Sequence, residues 1–283
     1  MAIKRAARLA SSLPWLDQVA GVLQKLFAPF AGAKAPRPLK DTLVGTWLGH
    51  PLHPATVALP VGAWTTALAL DLAGEERAAD LAIGLGLSGA LVSAVTGAAQ
   101  WEDATNDEHP RRIGSLHVLA NSAATACYAA SLAMRKSGAR SAGFALSLAG
   151  LGFVTAGGQL GGDLAYDLGI GVDHTAFEQP PDEWVDVADA SELTEGKPKR
   201  VEADGVAVML VQTNGTIAAI AATCPHFAGP LNKGKIEGDT VTCPWHGSVF
   251  SLTDGHLIHG PATAPVTSYE VRVKNGRVEV RAE

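Results

Sequence analysis

The chain has 283 residues, enough for one large domain or two ordinary ones. Its formal net charge of −6 argues against a nucleic-acid partner, because phosphate binding needs a basic stripe. Its three cysteines, Cys127, Cys224 and Cys243, are too few for a disulfide framework.

The first 47 residues form a basic segment carrying Lys4, Arg5, Arg8, Lys25, Lys34, Arg37 and Lys40. Pro14, Trp15, Asp17 and Gln18 interrupt any apolar core of signal-peptide length, so no cleavable signal is expected. The run SSLPWLDQVAGVLQKLFAPF predicts a short amphipathic helix, lying on a membrane surface or packed on the rest of the protein.

Residues 48–175 are rich in Ala, Gly and Leu and hold four apolar segments, Ala55–Leu70, Leu81–Ala99, Ile113–Met134 and Ser141–Leu160. A membrane span needs about 20 mostly apolar residues. Three segments reach or approach that length with their flanks, and the first does so by recruiting Leu52 and Leu72. Helices of a soluble bundle show a charged face every 3.6 residues or so; these do not. The pattern predicts an all-α four-helix transmembrane bundle with short polar loops at GEERAAD, EDATNDEHPRRIG and RKSGAR. Gly84, Gly86, Ser88, Gly89, Gly97, Gly150, Gly152, Gly157 and Gly158 read as helix-packing positions, since small residues let helices approach closely in lipid. GLGLSG has the GxGxxG spacing of a dinucleotide loop, but no strand precedes it and it sits in an apolar helix. Cys127 reads as a small buried thiol. An even number of spans puts both termini on one side. The Lys and Arg counts of the two sides are nearly balanced, and the basic N-terminus and absent export signal place termini and C-terminal domain in the cytoplasm, with the bundle in the inner or plasma membrane.

Residues 176–183 read as a linker, broken by Pro180 and Pro181. Residues 184–283 change to alternating apolar and polar residues. VAVMLVQTNGTIAAIAA and YEVRVKNGRVEV are hairpins turning at Asn214-Gly215 and Asn275-Gly276, with FSLTDGHLI a third candidate. Short strands and tight turns over this length predict a small all-β antiparallel domain.

Two Pro/Gly loops between those strands carry the chemistry: TCPHFAGPL with Cys224 and His226, and TCPWHGSVF with Cys243 and His246. Four such ligands suit a tetrahedral zinc ion or a 2Fe–2S cluster with two thiolates on one iron and two imidazoles on the other. Zinc pairs usually group like with like, whereas here each loop supplies one thiolate and one imidazole. Two facing loops can then give each iron one ligand from each loop.

The run CPHFAGPLNKGKIEGDTVTCPWHGSVFSLTDG, with WVDVADASEL before it and GPA after it, resembles a Rieske 2Fe–2S domain of the ferredoxin-like branch over residues 184–283. The resemblance implies that Cys224 and Cys243 bind one iron and His226 and His246 the other. It also implies that the histidines lie nearest solvent, where a redox partner docks. Two departures separate the chain from the Rieske proteins of quinol-oxidising complexes. The extra loop cysteines of that branch are missing, Trp245 being among the residues there, and Phe250 stands where that branch has a tyrosine bonding a ligand sulfur. Fewer hydrogen bonds to sulfur stabilise the reduced cluster less, so a potential near the low end of the Rieske range is expected. His256 and His259 read as surface residues.

LGHPLHPATVALPVGAWTTALALDLAG resembles a family of four-helix membrane proteins of unassigned function, with matching positions at His50, His53, Asp71 and His117 and an ending GGDLAYDLGIGV. In an antiparallel bundle His50, His53 and His117 fall at the end from which the C-terminal domain emerges. Ionisable groups there suggest a membrane redox site, holding haem b or a quinone; the alternative is that they cap helices at the lipid interface. Rieske oxygenases need a long catalytic domain after the cluster, and the chain ends soon after His246. The expected function is a membrane-tethered Rieske protein carrying single electrons between a redox partner and another protein or quinone. A quinol- or haem-linked membrane oxidoreductase and a redox sensor are the alternatives.

Overall fold

The computed structural model describes residues 12–283 apart from residue 33; Lys4, Arg5 and Arg8 lie outside the described residues. Among the described residues six α-helices precede the strands: α1 Trp15–Ala31, α2 Arg37–Val44, α3 Leu52–Leu72, α4 Glu76–Glu102, α5 Glu108–Lys136 and α6 Arg140–Gly162. The chain divides into two compact units. One holds the described residues up to Pro36 and Pro51–Ile170; the other holds Arg37–His50 and Gly171–Glu283.

In the helical unit each apolar segment is a helix, and each helix runs past the apolar stretch that announces it. Glu76–Asp80 and Glu108–Gly114, expected in loops, open α4 and α5. Acids in a first turn complement the helix dipole, and partners neutralise the charges. Arg112 pairs with Glu108 and Asp17, and Asp80 with Arg135 and Arg140. Among the described residues three helices are long and apolar enough to cross a membrane: α3, α4, and α6 continued through the π-helical turn Asp163–Asp167. The fourth expected span, α5, is not among them, because Arg111, Arg112, His117, Asn121, Ser131 and Arg135 punctuate it. Those polar groups turn to neighbouring helices: Ser131 donates to Gly143 O at 2.6 Å and Arg135 to Asp71.

Trp64 of α3, Ile83 of α4, Ala124 and Tyr128 of α5 and Val154 of α6 form the apolar centre of this unit. Gly86, Gly89, Gly97, Gly150 and Gly157 each face a large side chain, namely Trp64, Leu59, His53, Tyr128 and Asn121, at distances that a Cβ would violate. Gly84, Gly152 and Gly158, grouped with them on sequence, have nothing within 4 Å. GLGLSG lies wholly inside α4.

The N-terminal amphipathic helix exists as α1 and packs on the helical unit. Leu16 is buried with Ile113 and Leu160, and Gln24 donates to Thr105 Oγ1 at 2.7 Å. Asp17 binds Arg111 at 2.9 Å and Arg112 at 2.7 Å. Its outer face leaves Trp15, Val22 and Leu26 exposed.

The second unit is antiparallel β. Its strands are β1 Val185–Asp189, β2 Lys199–Ala203, β3 Val206–Thr213, β4 Thr216–Ala221, β5 Lys235–Glu237, β6 Thr240–Thr242, β7 Val249–Ser251, β8 Leu257–His259, β9 Tyr269–Lys274 and β10 Arg277–Ala282. They form three sheets ordered β1-β10-β9, β2-β3-β4 and β5-β6-β7-β8. Asn214-Gly215 and Asn275-Gly276 turn two hairpins with φ of 53° and 76°, and 53° and 80°, the left-handed pair that a two-residue hairpin requires. Asp204-Gly205, a turn signal passed over on sequence, joins β2 to β3 in the same way, with φ of 49° and 85°. Asp254-Gly255 instead lies in a longer connection between β7 and β8.

Two boundaries differ from those read on sequence. Residues 37–50 do not belong with α1, because Asp41 of α2 bonds to His259 and Gly260 of the β unit. Residues 171–175, grouped with the helical domain on sequence, go with the β unit, where the His174 amide donates to Pro225 O at 2.9 Å, and the 176–183 linker is tied to the same unit by the Ala282 amide, which donates to Pro181 O at 2.9 Å.

Candidate metal centre

The cluster loops are two copies of one backbone device. The Cys224 N–H donates to Gly229 O and the Cys243 N–H to Ser248 O, each at 2.8 Å, so each loop is closed by its own cysteine across five residues. The fourth residue after each cysteine adopts positive φ, 56° at Ala228 and 80° at Gly247. Strands hold both ends: β4 leads into the first loop, and β6 and β7 flank the second. Gly229 is needed for proximity, since a Cβ there would stand 2.9 Å from Cys243 Sγ.

These loops bring the four expected ligands together as two pairs. Cys224 and Cys243 are buried, 1% and 3% exposed, and their thiols are neighbours. His226 and His246 stand half-buried with Nδ1 atoms 3.2 Å apart and ring planes at 88°. Among the described residues no three His, Cys, Asp or Glu side chains converge as a single metal ion requires. Two thiols opposite two imidazole nitrogens are the donor set of a binuclear centre, so the residues fit a 2Fe–2S cluster better than a zinc ion.

The surroundings favour negative charge on sulfur. The polar neighbours of the sulfurs are the Trp245 and His246 amides at Cys243 and the His226 amide and Ser248 hydroxyl at Cys224. The adjoining Cys224 thiol, followed by these amides, holds the Cys243 thiol at about 6, against burial. The same Cys243 contact and burial push Cys224 up. Cys243 is therefore the readier thiolate of the two. Burial, then the neighbouring His246, Lys40 and His174, hold His226 at about 3, so it presents a neutral ring with a lone pair.

Sequence reasoning missed three neighbours. Phe227 lies against both histidines, with centroids 4.6 Å from His226 and 5.4 Å from His246. His174 stacks on Phe227 at 5.6 Å. Asp41 accepts from His259 Nδ1 at 2.8 Å and from the Gly260 amide at 2.9 Å. His259 is therefore not simply a surface residue: it is half-buried against a carboxylate 218 positions away. His256 is exposed and bonds Asp254, as expected of a surface residue. No signal in the sequence links Asp41 or His174 to these loops. Phe250 is fully buried on β7, opposite Val241.

The membrane histidines divide between units. His53 and His117 meet in the helical unit with ring centroids 6.4 Å apart and planes at 80°. His117 Nδ1 donates to Gly157 O at 2.8 Å, which leaves Nε2 with its lone pair, 3.3 Å from the Asn121 amide. His53 Nδ1 lies 3.4 Å from Thr96 Oγ1. His50 ends the 37–50 segment of the β unit.

Known proteins align with both parts. Residues 183–270 match the Rieske [2Fe-2S] domain, and residues 49–174 match a family described as "Predicted membrane protein (DUF2231)". The chain is 36% identical over 101 residues to Ferredoxin CarAc of Metapseudomonas resinovorans, covering 35% of this chain and 94% of that ferredoxin. It is 33% identical over 96 residues to Apoptosis-inducing factor 3 of Mus musculus, covering 34% of this chain and spanning only 16% of that protein's length. A solved ferredoxin of carbazole 1,9a-dioxygenase from Nocardioides aromaticivorans IC177 is 28% identical, with 35% of this chain and 98% of that one covered and a TM-score of 0.34. A Rieske domain implies a 2Fe–2S cluster. Through its C-terminal part the chain belongs to the ferredoxin-type Rieske [2Fe-2S] family, and residues 49–174 ahead of it are similar to the DUF2231 family.

Proposed function

We propose that this protein is a membrane-tethered one-electron carrier. Cys224 and Cys243 hold one iron of a 2Fe–2S cluster, and His226 and His246 hold the other. The observation that carries the reading is the pairing of two buried, neighbouring thiols with two imidazole Nδ1 atoms 3.2 Å apart. Bound there, the cluster supplies one-electron redox chemistry. The chain's own residues do the rest. Gly229 lets the loops close on the sulfurs, and the buried cysteines keep water from that side. The half-buried histidines present the edge through which a docked redox protein exchanges electrons. CarAc is a ferredoxin, and the same carrier work for this chain is the natural reading of a match covering 94% of it.

Electron paramagnetic resonance of the reduced protein tests the assignment. Mixed nitrogen and sulfur ligation is expected, and its persistence in Cys224→Ser or His246→Ala would refute the ligand set. The basic residues Lys25, Lys34, Arg37 and Lys40 support a cytoplasmic Rieske unit; protease access in sealed inside-out vesicles tests that orientation.

A second reading, a quinol- or haem-linked oxidoreductase, is favoured by one observation. His53 and His117 converge in the helical unit, and His117 has Nδ1–H committed to Gly157 O and Nε2 left as the ligating nitrogen. A Soret band in the purified protein, lost in His117→Ala, supports the haem form. Cluster reduction by quinol in membranes supports the quinol form, and reduction by a soluble reductase alone supports the carrier.

A further inference from the structure

Helix α1 makes its contacts at one end of the helical unit. Asp17 binds Arg111 and Arg112 where α5 begins, and Gln24 donates to Thr105 between α4 and α5. Leu16 packs on Ile113 and on Leu160 near the end of α6. Both α4 and α6 are long and apolar enough to cross a membrane, so α1 is docked where those spans end.

At about 100° per residue the side chains of α1 fall into three sectors of roughly 120° each. The first, through Leu16, Ala20 and Gln24, is the docked one. The second, through Gln18, Lys25 and Ala28, is exposed and polar or small. The third, through Trp15, Val22, Leu26 and Pro29, is exposed and wholly apolar, with Trp15, Val22 and Leu26 at 47%, 66% and 64% exposure. Burying a side chain such as Val or Leu is worth roughly 1.5–3 kcal/mol, so an apolar sector of this size beside the docked one is costly in water. Protein on one side, water on the second and acyl chains on the third is the environment of a helix lying in a membrane interface. Tryptophan is the side chain suited to that level, and Lys25 in the polar sector suits a phosphate headgroup.

We propose that α1 is an interfacial anchor: Asp17 and Leu16 hold it to the bundle, and its Trp15–Val22–Leu26 side is seated in the headgroup and acyl boundary of the leaflet at that end. The proposal rests on the reading of the helical unit as a membrane domain.

Tryptophan fluorescence of the full-length protein in phosphatidylcholine and phosphatidylglycerol vesicles tests it. The emission difference between wild type and Trp15→Phe isolates one indole. Brominated acyl chains should quench most of that component, and aqueous iodide little of it. Gln18→Trp, made on the Trp15→Phe chain, should give the reverse, an indole open to iodide and spared by bromine. Equal iodide quenching of the two indoles would put the third sector in water. A Trp15 component shielded from both quenchers would put protein over it, a second copy included. Either result overturns the proposal. Leu85→Trp, at an exposed position of α4 and made on the same chain, checks the reading beneath. If bromine spares that indole too, the helical unit is not in the bilayer and the proposal falls with it. If bromine quenches that indole but not Trp15, the anchor alone fails.

Discussion

Arg135 near the end of α5 and Asp71 near the end of α3 form a doubly bonded ion pair, both contacts at 2.6 Å, with the arginine side chain wholly enclosed and that of the aspartate 6% exposed. Asp80, Ser131 and Ser147 complete the guanidinium's partners, and Asp71 also takes Arg140 at 3.2 Å. Breaking such a buried pair strands a charge and costs roughly 3–5 kcal/mol. Arg135→Met should lower the thermal unfolding midpoint in detergent accordingly, and adding Asp71→Leu should recover part of the loss. A single-variant cost under about 1 kcal/mol would show the pair to be solvated in a way that its enclosure contradicts.

The stack of Trp64 on Tyr128, centroids 4.2 Å apart and planes within 9°, depends on Gly86. A Cβ at Gly86 would stand 2.2 Å from Trp64 Nε1, whereas one at Gly84 meets nothing within 4 Å. Gly86→Ala should therefore destabilise the bundle by roughly 1–3 kcal/mol, the usual cost of overpacking. Gly84→Ala should be neutral or slightly stabilising. Equal midpoints for the two variants would contradict this packing.

Asp17 ties α1 to α5. Hydrogen bonds from Arg112 and Arg111 hold its carboxyl down at about 2, from an ordinary value of 3.8. A depressed folded-state value means that the stabilisation is complete above about pH 4 and is lost as the pH falls through about 2. Hydrogen exchange over residues 15–31, corrected for intrinsic rates, should be faster in Asp17→Asn than in wild type at pH 7 and should converge with it near pH 2. Equal protection at pH 7 would mean that Leu16 and Ala20 dock the helix unaided.

Phe250 is fully buried on β7, within the apolar core that includes both cysteines. With no hydroxyl there, the midpoint potential should lie toward the low end of the Rieske range, which runs from roughly −150 to +300 mV. Phe250→Tyr should raise it. A wild-type value near the top of that range, or no rise in the variant, would remove hydrogen bonding at this position as the cause.

The sequence carried most of what periodicity and turn chemistry can encode. The four apolar runs locate α3 to α6, and Asn214-Gly215 and Asn275-Gly276 locate two hairpins, because each feature is written in neighbouring residues. Helix ends were read short, since Glu76–Asp80 and Glu108–Gly114 look like loops until Arg135, Arg140 and Asp17 are seen to neutralise them. The loop motifs name the donor atoms but not their supports. Asp41 and His174 reach the cluster loops only through tertiary structure, and no local pattern marks either. The same limit separates Gly86, which seats an indole, from Gly84, which faces open space.

The central claim is that Cys224, His226, Cys243 and His246 hold one 2Fe–2S cluster with two sulfur and two nitrogen ligands from the protein. Pulsed electron paramagnetic resonance of the dithionite-reduced full-length protein tests it most directly. The account predicts a rhombic one-electron signal with hyperfine couplings from two histidine nitrogens, lost on Cys224→Ser and on His246→Ala while both variants keep their helical and β-sheet circular dichroism. A signal without nitrogen coupling, or one that survives both substitutions unchanged, would contradict it.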